Sequence, residues 1–295
     1  MTAPATRWTH SLRLARPPNL FTVPGDPLAG FILASGAGGA WDARMAWAAL
    51  SAMALYASGL ILNDVADYEA DRRERPGRPL ACGAVPRRAA LAAGLLLGAC
   101  GAALAFPAGA MALAAAACLF LLVLVYDFVT PRGSVAGLLV MGLCRSASVG
   151  LGIAASGNLS WNHGIPWGAA AGTGLYIVAV SCMAAGETRV QHLGWGRWAP
   201  AAILAGTFGV LAWTPEVVPW AGVALGLLPL VVTWNLGRRL GPEPKPEAVP
   251  PTIGGYIRAL ILVQAAYCAM ASWRGCVAAM ILLCLWPLSA IVSKR

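Results

Sequence analysis

One stretch of the chain carries most of the residues that could do chemistry: Asn63-Asp64-Val65-Ala66-Asp67-Tyr68-Glu69-Ala70-Asp71-Arg72-Arg73-Glu74-Arg75-Pro76-Gly77-Arg78-Pro79-Leu80. It follows directly on the apolar run Leu50–Leu62. In a helix continued through Asp71, Asn63, Asp67 and Asp71 succeed one another at about 40° of rotation per step. All three lie on one face, and Asp64 falls near the same arc. Carboxylates this close repel each other and are hard to keep ionised near lipid. A divalent cation removes both difficulties. An oxygen-only donor set, without His or Cys, selects Mg²⁺ or a similar hard ion. Mg²⁺ takes one or two carboxylates and completes its shell with water and phosphate oxygens. The spacing therefore predicts a phosphate or diphosphate ligand held through a metal. Arg72, Arg73, Arg75 and Arg78 follow at once, and guanidinium offers paired N–H donors to phosphate. The alternative for these arginines is a solvated cytoplasmic loop.

The elements that must position this stretch follow from composition. Of 295 residues, 59% are hydrophobic and 11% charged, with a mean hydropathy of +0.69. Soluble domains run nearer about 45–50% apolar and about 25% charged. A soluble globular enzyme, a disordered chain and an array of charged helices are excluded. Apolar runs lie at 19–38, 43–66, 88–106, 108–126, 134–155, 167–188, 198–214, 217–237, 256–271 and 275–292. Roughly 20 such residues cross a bilayer as a helix, and a helix satisfies its own backbone there. The expectation is an all-α, polytopic transmembrane bundle of nine or ten helices forming one domain over residues 1–295. Nine or ten turns on the last pair of runs, because Arg258 and Gln264 interrupt 256–271.

The net charge of +9 would suit nucleic acid in a soluble protein, but here the charges sit in loops. With the N-terminus inside, the loop Lys and Arg residues fall on one face, leaving only Arg44 and Arg274 outside. The positive-inside rule accounts for that asymmetry, and no nucleic-acid partner is expected. No cleavable signal peptide is expected, since the chain is polar up to Arg16 and no A-x-A-like site follows. The eight Cys form no C-x-x-C pair, and His10, His163 and His192 are scattered, so neither disulfides nor zinc are expected. Trp41, Trp161, Trp167, Trp195, Trp198, Trp213 and Trp220 sit near span ends, where indole suits the interface.

The pattern N-D-x-x-D-x-x-x-D-R followed by R-P-x-R-P-L-x-x-G, at residues 63–83, resembles the first aspartate-rich motif of the UbiA superfamily of intramembrane prenyltransferases. Arg16-Pro17-Pro18-Asn19 looks like that family's entry to its first helix. Tyr126 through Pro131-Arg132 resembles the end of its fourth helix, and Gly142-Leu143-Cys144-Arg145 with Gly150 and Gly152 its fifth. The likeness in order and spacing runs from about residue 12 to 200. It implies a helix bundle around a central cavity open to lipid. It also implies Mg²⁺-dependent transfer of an isoprenoid chain from a prenyl diphosphate donor to a small acceptor within the bilayer. On that likeness Asn63, Asp67 and Asp71 hold the metal, and Asp67, Asp71, Arg145 and Glu187 take part in catalysis. Asp64, Arg72, Arg75, Arg78, Tyr126, Arg132, Arg145 and Gln191 contact substrate. The implied site is multi-pass and membrane-integral, with its loops on the cytoplasmic side of the inner membrane.

The sequence departs from the family at the sixth helix, where a second motif, commonly D-x-x-x-D, holds a second Mg²⁺. Here Ser181–His192 contains Glu187 as its one carboxylate, with Gln191 four residues on. The diphosphate must then be balanced by one Mg²⁺, by a second held weakly at Glu187, or by cationic side chains. Arg145 suits the last role. Inside an apolar span it needs a partner, either Glu187 or substrate phosphate. Tyr68, Tyr126 or Asp127 could orient the acceptor, Asp127 alternatively lying in a loop beside Arg132. The runner-up readings are a catalytically altered relative, terpene-cyclase-like or non-enzymatic, and a transporter or scaffold. Polar residues clustered at span ends rather than mid-span weigh against a transporter. The D-G-x-x-A-R signature of CDP-alcohol phosphotransferases is absent.

Overall fold

A computed structural model of the chain describes residues 20–36, 41–131, 133–159, 164–185, 192–213 and 220–292. Among them are eleven α-helices: α1 (Gly25–Ser35), α2 (Ala43–Ala66), α3 (Tyr68–Glu74), α4 (Arg87–Ala103), α5 (Ala110–Phe128), α6 (Val135–Ser156), α7 (Gly164–Ala184), α8 (Ala199–Trp213), α9 (Trp220–Leu240), α10 (Val249–Ala271) and α11 (Trp273–Val292). Each of the ten apolar runs coincides with one helix. Eight are long and apolar enough to cross a bilayer: α2, α4, α5, α6, α7, α9, α10 and α11. The protein is an integral, multi-pass membrane protein.

Local chemistry sets several of the boundaries. Asp42 caps α2, its carboxylate accepting the Arg44 N–H at 2.8 Å. Ser134 caps α6, accepting from Gly137 N–H at 3.1 Å, and Gly157 ends that helix in the left-handed conformation at φ +79°. The first run yields the shortest element of the ten. Pro24 sits at the N-cap of α1 and Pro27 in its first turn, so helix begins only at Gly25. Its 11 residues reach about 16 Å, half of the roughly 30 Å hydrocarbon thickness. Nine of them are buried, and α1 packs against α2, α6, α7 and α10.

The marginal run at 256–271 proves to be the most enclosed span. In α10 83% of the membrane-length window is buried, against 17% in α5. A helix facing lipid must be apolar all round, whereas one facing other helices can carry Gln264, provided it is hydrogen-bonded. α10 packs on α1, α7, α9 and α11 and contributes Tyr256, Leu260, Ile261 and Tyr267 to the core. Outward-facing Leu96, Met111, Leu121, Val210 and Ile281 are exposed, as befits lipid contact. Trp213, Trp220 and Trp273 stand exposed at helix ends, whereas Trp198 stacks on Trp234 with ring centroids 3.9 Å apart. Trp161 lies outside the described residues.

α1 and α6 touch backbone to backbone. A Cβ added at Gly152 would strike the carbonyl of Pro27, and one at Gly30 the carbonyl of Val149. These are backbone atoms, so no side chain can rotate out of the way. On the same helix, a Cβ at Gly150 would meet nothing closer than the Trp167 ring at 4.0 Å. Gly152→Ala should therefore lower stability by about 1–3 kcal/mol while Gly150→Ala stays near wild type. Melting temperatures in detergent check this, and equal losses for the two variants would contradict the close approach.

Candidate functional site

The carboxylate stretch lies where α2 passes into α3. Asp67 stands between them at φ −81° and ψ 1°, off the helical optimum. The four-residue ladder nonetheless continues through it. Asp67 N–H donates to Asn63 at 2.8 Å, Asp71 N–H to Asp67 at 2.9 Å and Arg75 N–H to Asp71 at 2.8 Å. The succession Asn63, Asp67, Asp71 is thus kept in the backbone across a bend.

The side chains take separate partners. Arg78 Nη1 meets Asp64 Oδ1 at 3.1 Å and Asp71 Oδ2 at 2.6 Å. Both carboxylates are buried. Asp71 is expected to hold the metal and Asp64 and Arg78 to contact substrate; in the structure Arg78 pairs with Asp64 and Asp71 and folds the loop over them. Buried Leu80 packs with Val65 of α2 and Ala90 of α4 and anchors that loop. Gly83, at φ +76°, turns the chain toward α4. Arg72 and Arg75 are exposed on the loop side, and Arg72 lies over the Tyr68 ring at 5.7 Å, with Arg87 over it at 5.1 Å.

Asn63 turns the other way. α2 and α5 run in the same direction and pack together, so their ends meet. Asn63 Nδ2 donates to Asp127 Oδ1 at 3.2 Å. Asp127 Oδ2 is buried and has no hydrogen-bond partner among the described residues. Asp127 lies within α5, one residue before its last. Asp127 thus belongs to the last turn of α5 rather than to a loop. Tyr126 is half-buried beside it, its carbonyl accepting from Thr130 Oγ1 at 2.7 Å. Arg132, Glu187 and Gln191 lie outside the described residues, as do Arg16-Pro17-Pro18-Asn19. Among the described residues no three His, Cys, Asp or Glu side chains are grouped to hold a metal.

Arg145 has a partner that the sequence reading missed. Neither Glu187 nor a phosphate is needed to account for it. Its Nη1 pairs with Asp26 Oδ2 at 2.5 Å and its Nη2 donates to Thr22 Oγ1 at 2.9 Å. Gln264 Nε2 donates to Asp26 Oδ1 at 2.6 Å and to the Thr22 carbonyl at 2.7 Å. The Tyr56 ring lies 5.6 Å from the guanidinium. Asp26 has no exposed surface. The cation expected to serve catalysis is therefore committed to a lock joining α1, α6 and α10. The signal was present in the sequence: Asp26 is the one carboxylate of its run and Arg145 the one cation of its own.

The profile of the UbiA prenyltransferase family matches residues 27–249. The fold is similar to that of a digeranylgeranylglyceryl phosphate synthase, with a TM-score of 0.63 at 17% identity, covering 88% of this chain and 97% of that one. It is similar to a UbiA homologue from Aeropyrum pernix K1, at 0.61 and 18%, covering 84% and 96%. A UbiA homologue from Archaeoglobus fulgidus bound to DMAPP and Mg²⁺ aligns at 0.58 and 15%, covering 87% and 99%. No curated protein sequence matches the chain.

The lock makes a clear prediction. Removing one partner strands the other charge in the bundle, so Asp26→Asn and Arg145→Gln should each cost about 3–5 kcal/mol. The double variant should recover part of the loss, because no charge is left unpaired. Thermal unfolding of the four proteins in detergent measures the coupling, and strictly additive losses would mean that the two residues act separately.

Proposed function

The chain belongs to the UbiA prenyltransferase family, and on that premise we propose that it transfers an isoprenoid chain from a prenyl diphosphate to a small acceptor within the membrane. The observation that carries this reading is the hydrogen bond from Asn63 to Asp127 where two membrane helices end, with Asp67 one turn beyond Asn63 and an arginine-bearing loop following. Their donors are all oxygen, which fits Mg²⁺, and an ion of this kind needs only one or two protein carboxylates. The orphaned buried oxygen of Asp127 fits a cation equally well. Related proteins carrying DMAPP or GPP together with Mg²⁺ support the donor class.

In this reading Asn63 and Asp67 hold the cation. Mg²⁺ would supply positive charge where the diphosphate gains negative charge. Arg72 and Arg75, on the exposed side of the loop, meet the outer phosphate oxygens. The Arg78 pairs with Asp64 and Asp71 keep that loop folded over the helix ends. The apolar helices receive the tail and exclude water from the reacting carbon. The C1–O bond breaks, its electron pair leaves on the diphosphate, and C1 bonds to the acceptor, whose proton passes to solvent. We further propose that these ends face the cytoplasm and that α10 and α11, which extend past the matched region, complete the same single domain. A second reading, donor binding without transfer, is favoured by the single carboxylate, Glu187, in the stretch that should hold a second metal.

Purified protein should melt higher with a prenyl diphosphate plus Mg²⁺ than with either alone, and should release diphosphate when an acceptor is present. Asp67→Ala should weaken Mg²⁺-dependent donor binding roughly 100-fold. If no donor of any length raises the melting temperature of the wild type, the proposal fails. Binding without diphosphate release would select the second reading.

A further inference from the structure

Resting on that reading, we infer that Asp127 is a ligand of the cation and replaces, from α5, acidity that the stretch after α7 lacks. The sequence sets the problem. A diphosphate brings several negative charges, and the stretch Ser181–His192 offers Glu187 alone. The structure offers a different carboxylate at the same end of the bundle. Asp127 sits in the last turn of α5, and its Oδ1 accepts the Asn63 amide at 3.2 Å. That bond turns the amide N–H side toward Asp127 and leaves the Asn63 carbonyl oxygen as the ligating atom.

The second oxygen of Asp127 is the decisive feature. It is buried and has no hydrogen-bond partner among the described residues. Buried carboxylate oxygens are normally satisfied, and an exception calls for a missing partner. The missing partner must be positive or a donor. Arg78 is engaged with Asp64 and Asp71. A hard divalent cation bound between Asn63, Asp67 and Asp127 supplies that partner. Two carboxylates and one amide oxygen suit Mg²⁺, which completes its shell with water and phosphate oxygens. The rival account gives Asp127 only the task of orienting Asn63. Asparagine at position 127 would preserve that task, because its carbonyl still accepts the Asn63 N–H, while removing the charge.

The test uses full-length protein in lipid nanodiscs with inorganic pyrophosphate, and Mn²⁺ as a paramagnetic probe displaced by Mg²⁺. Asp127→Asn should weaken Mn²⁺ binding about 10-fold or more, as Asp67→Asn does, and Asp127→Glu should recover most of it. Melting gives a second readout. In metal-free buffer Asp127→Asn should melt at or above the wild type, because a buried negative charge is gone. With Mn²⁺ and pyrophosphate the wild type should gain stability and the variant should not. Wild-type Mn²⁺ affinity in Asp127→Asn, with Asp67→Asn impaired, overturns this inference and leaves the donor reading standing. A variant that cannot fold without metal also overturns it, because the side chain would then be structural. Wild-type protein that takes up no Mn²⁺ with pyrophosphate defeats both.

Discussion

The bundle is organised around one ion pair buried in its middle. Asp26 and Arg145 meet at 2.5 Å, and Asp26 is wholly enclosed. Isolated charges in hydrocarbon are costly, so the pair needs further hydrogen bonds around it. Thr22 accepts from Arg145 and Gln264 donates to Asp26. The pair gives α1, too short to span, a fixed depth and rotation against α6 and α10. The glycine contacts at Gly30 and Gly152 then let the backbones close on it. A bulkier residue at either glycine would push the charges apart, so packing and electrostatics here are one constraint.

At the membrane end the same economy of charge operates differently. Asp64 and Asp71 are satisfied internally by Arg78, and Leu80 holds the loop that carries it. Those groups hold the loop over the helix ends. Asn63 turns instead to Asp127, whose second oxygen is buried with no hydrogen-bond partner among the described residues. A motif that reads as one row is thus divided in space, with Asp64 and Asp71 turned to the loop arginine and Asn63 to Asp127. The bend at Asp67 accompanies the division, since it joins two helices while keeping the hydrogen-bond ladder intact.

Much of this was legible in the sequence. Apolar runs of helix length read directly as the helices, because lipid demands that pattern locally. The four-residue spacing of Asn63, Asp67 and Asp71 survived in the backbone. The short α1 was readable in principle from Pro24, which hydropathy averaging ignores. Gln264 looked like a flaw in a span, since averaging assumes lipid on every side and α10 faces protein. The partner of Arg145 was hidden because the bond joins residues 119 apart, and pairing at that range leaves no local signature. Asp127 was equally opaque. A carboxylate at a helix end reads as an interfacial residue until the neighbouring helix supplies Asn63.

The distances along the chain between the members of the lock have a consequence for how the protein is made. Asp26 enters the membrane 119 residues before Arg145 and 238 before Gln264. At about 5–20 residues per second, Arg145 follows Asp26 after roughly 6–24 s and Gln264 after roughly 12–48 s. For that interval the first helix carries a carboxylate whose partners do not yet exist. It must wait near the headgroups or beside the insertion machinery, and it can sink to its final depth only when the sixth and tenth helices arrive. The earliest of the described helices to be synthesised is therefore among the last to be seated.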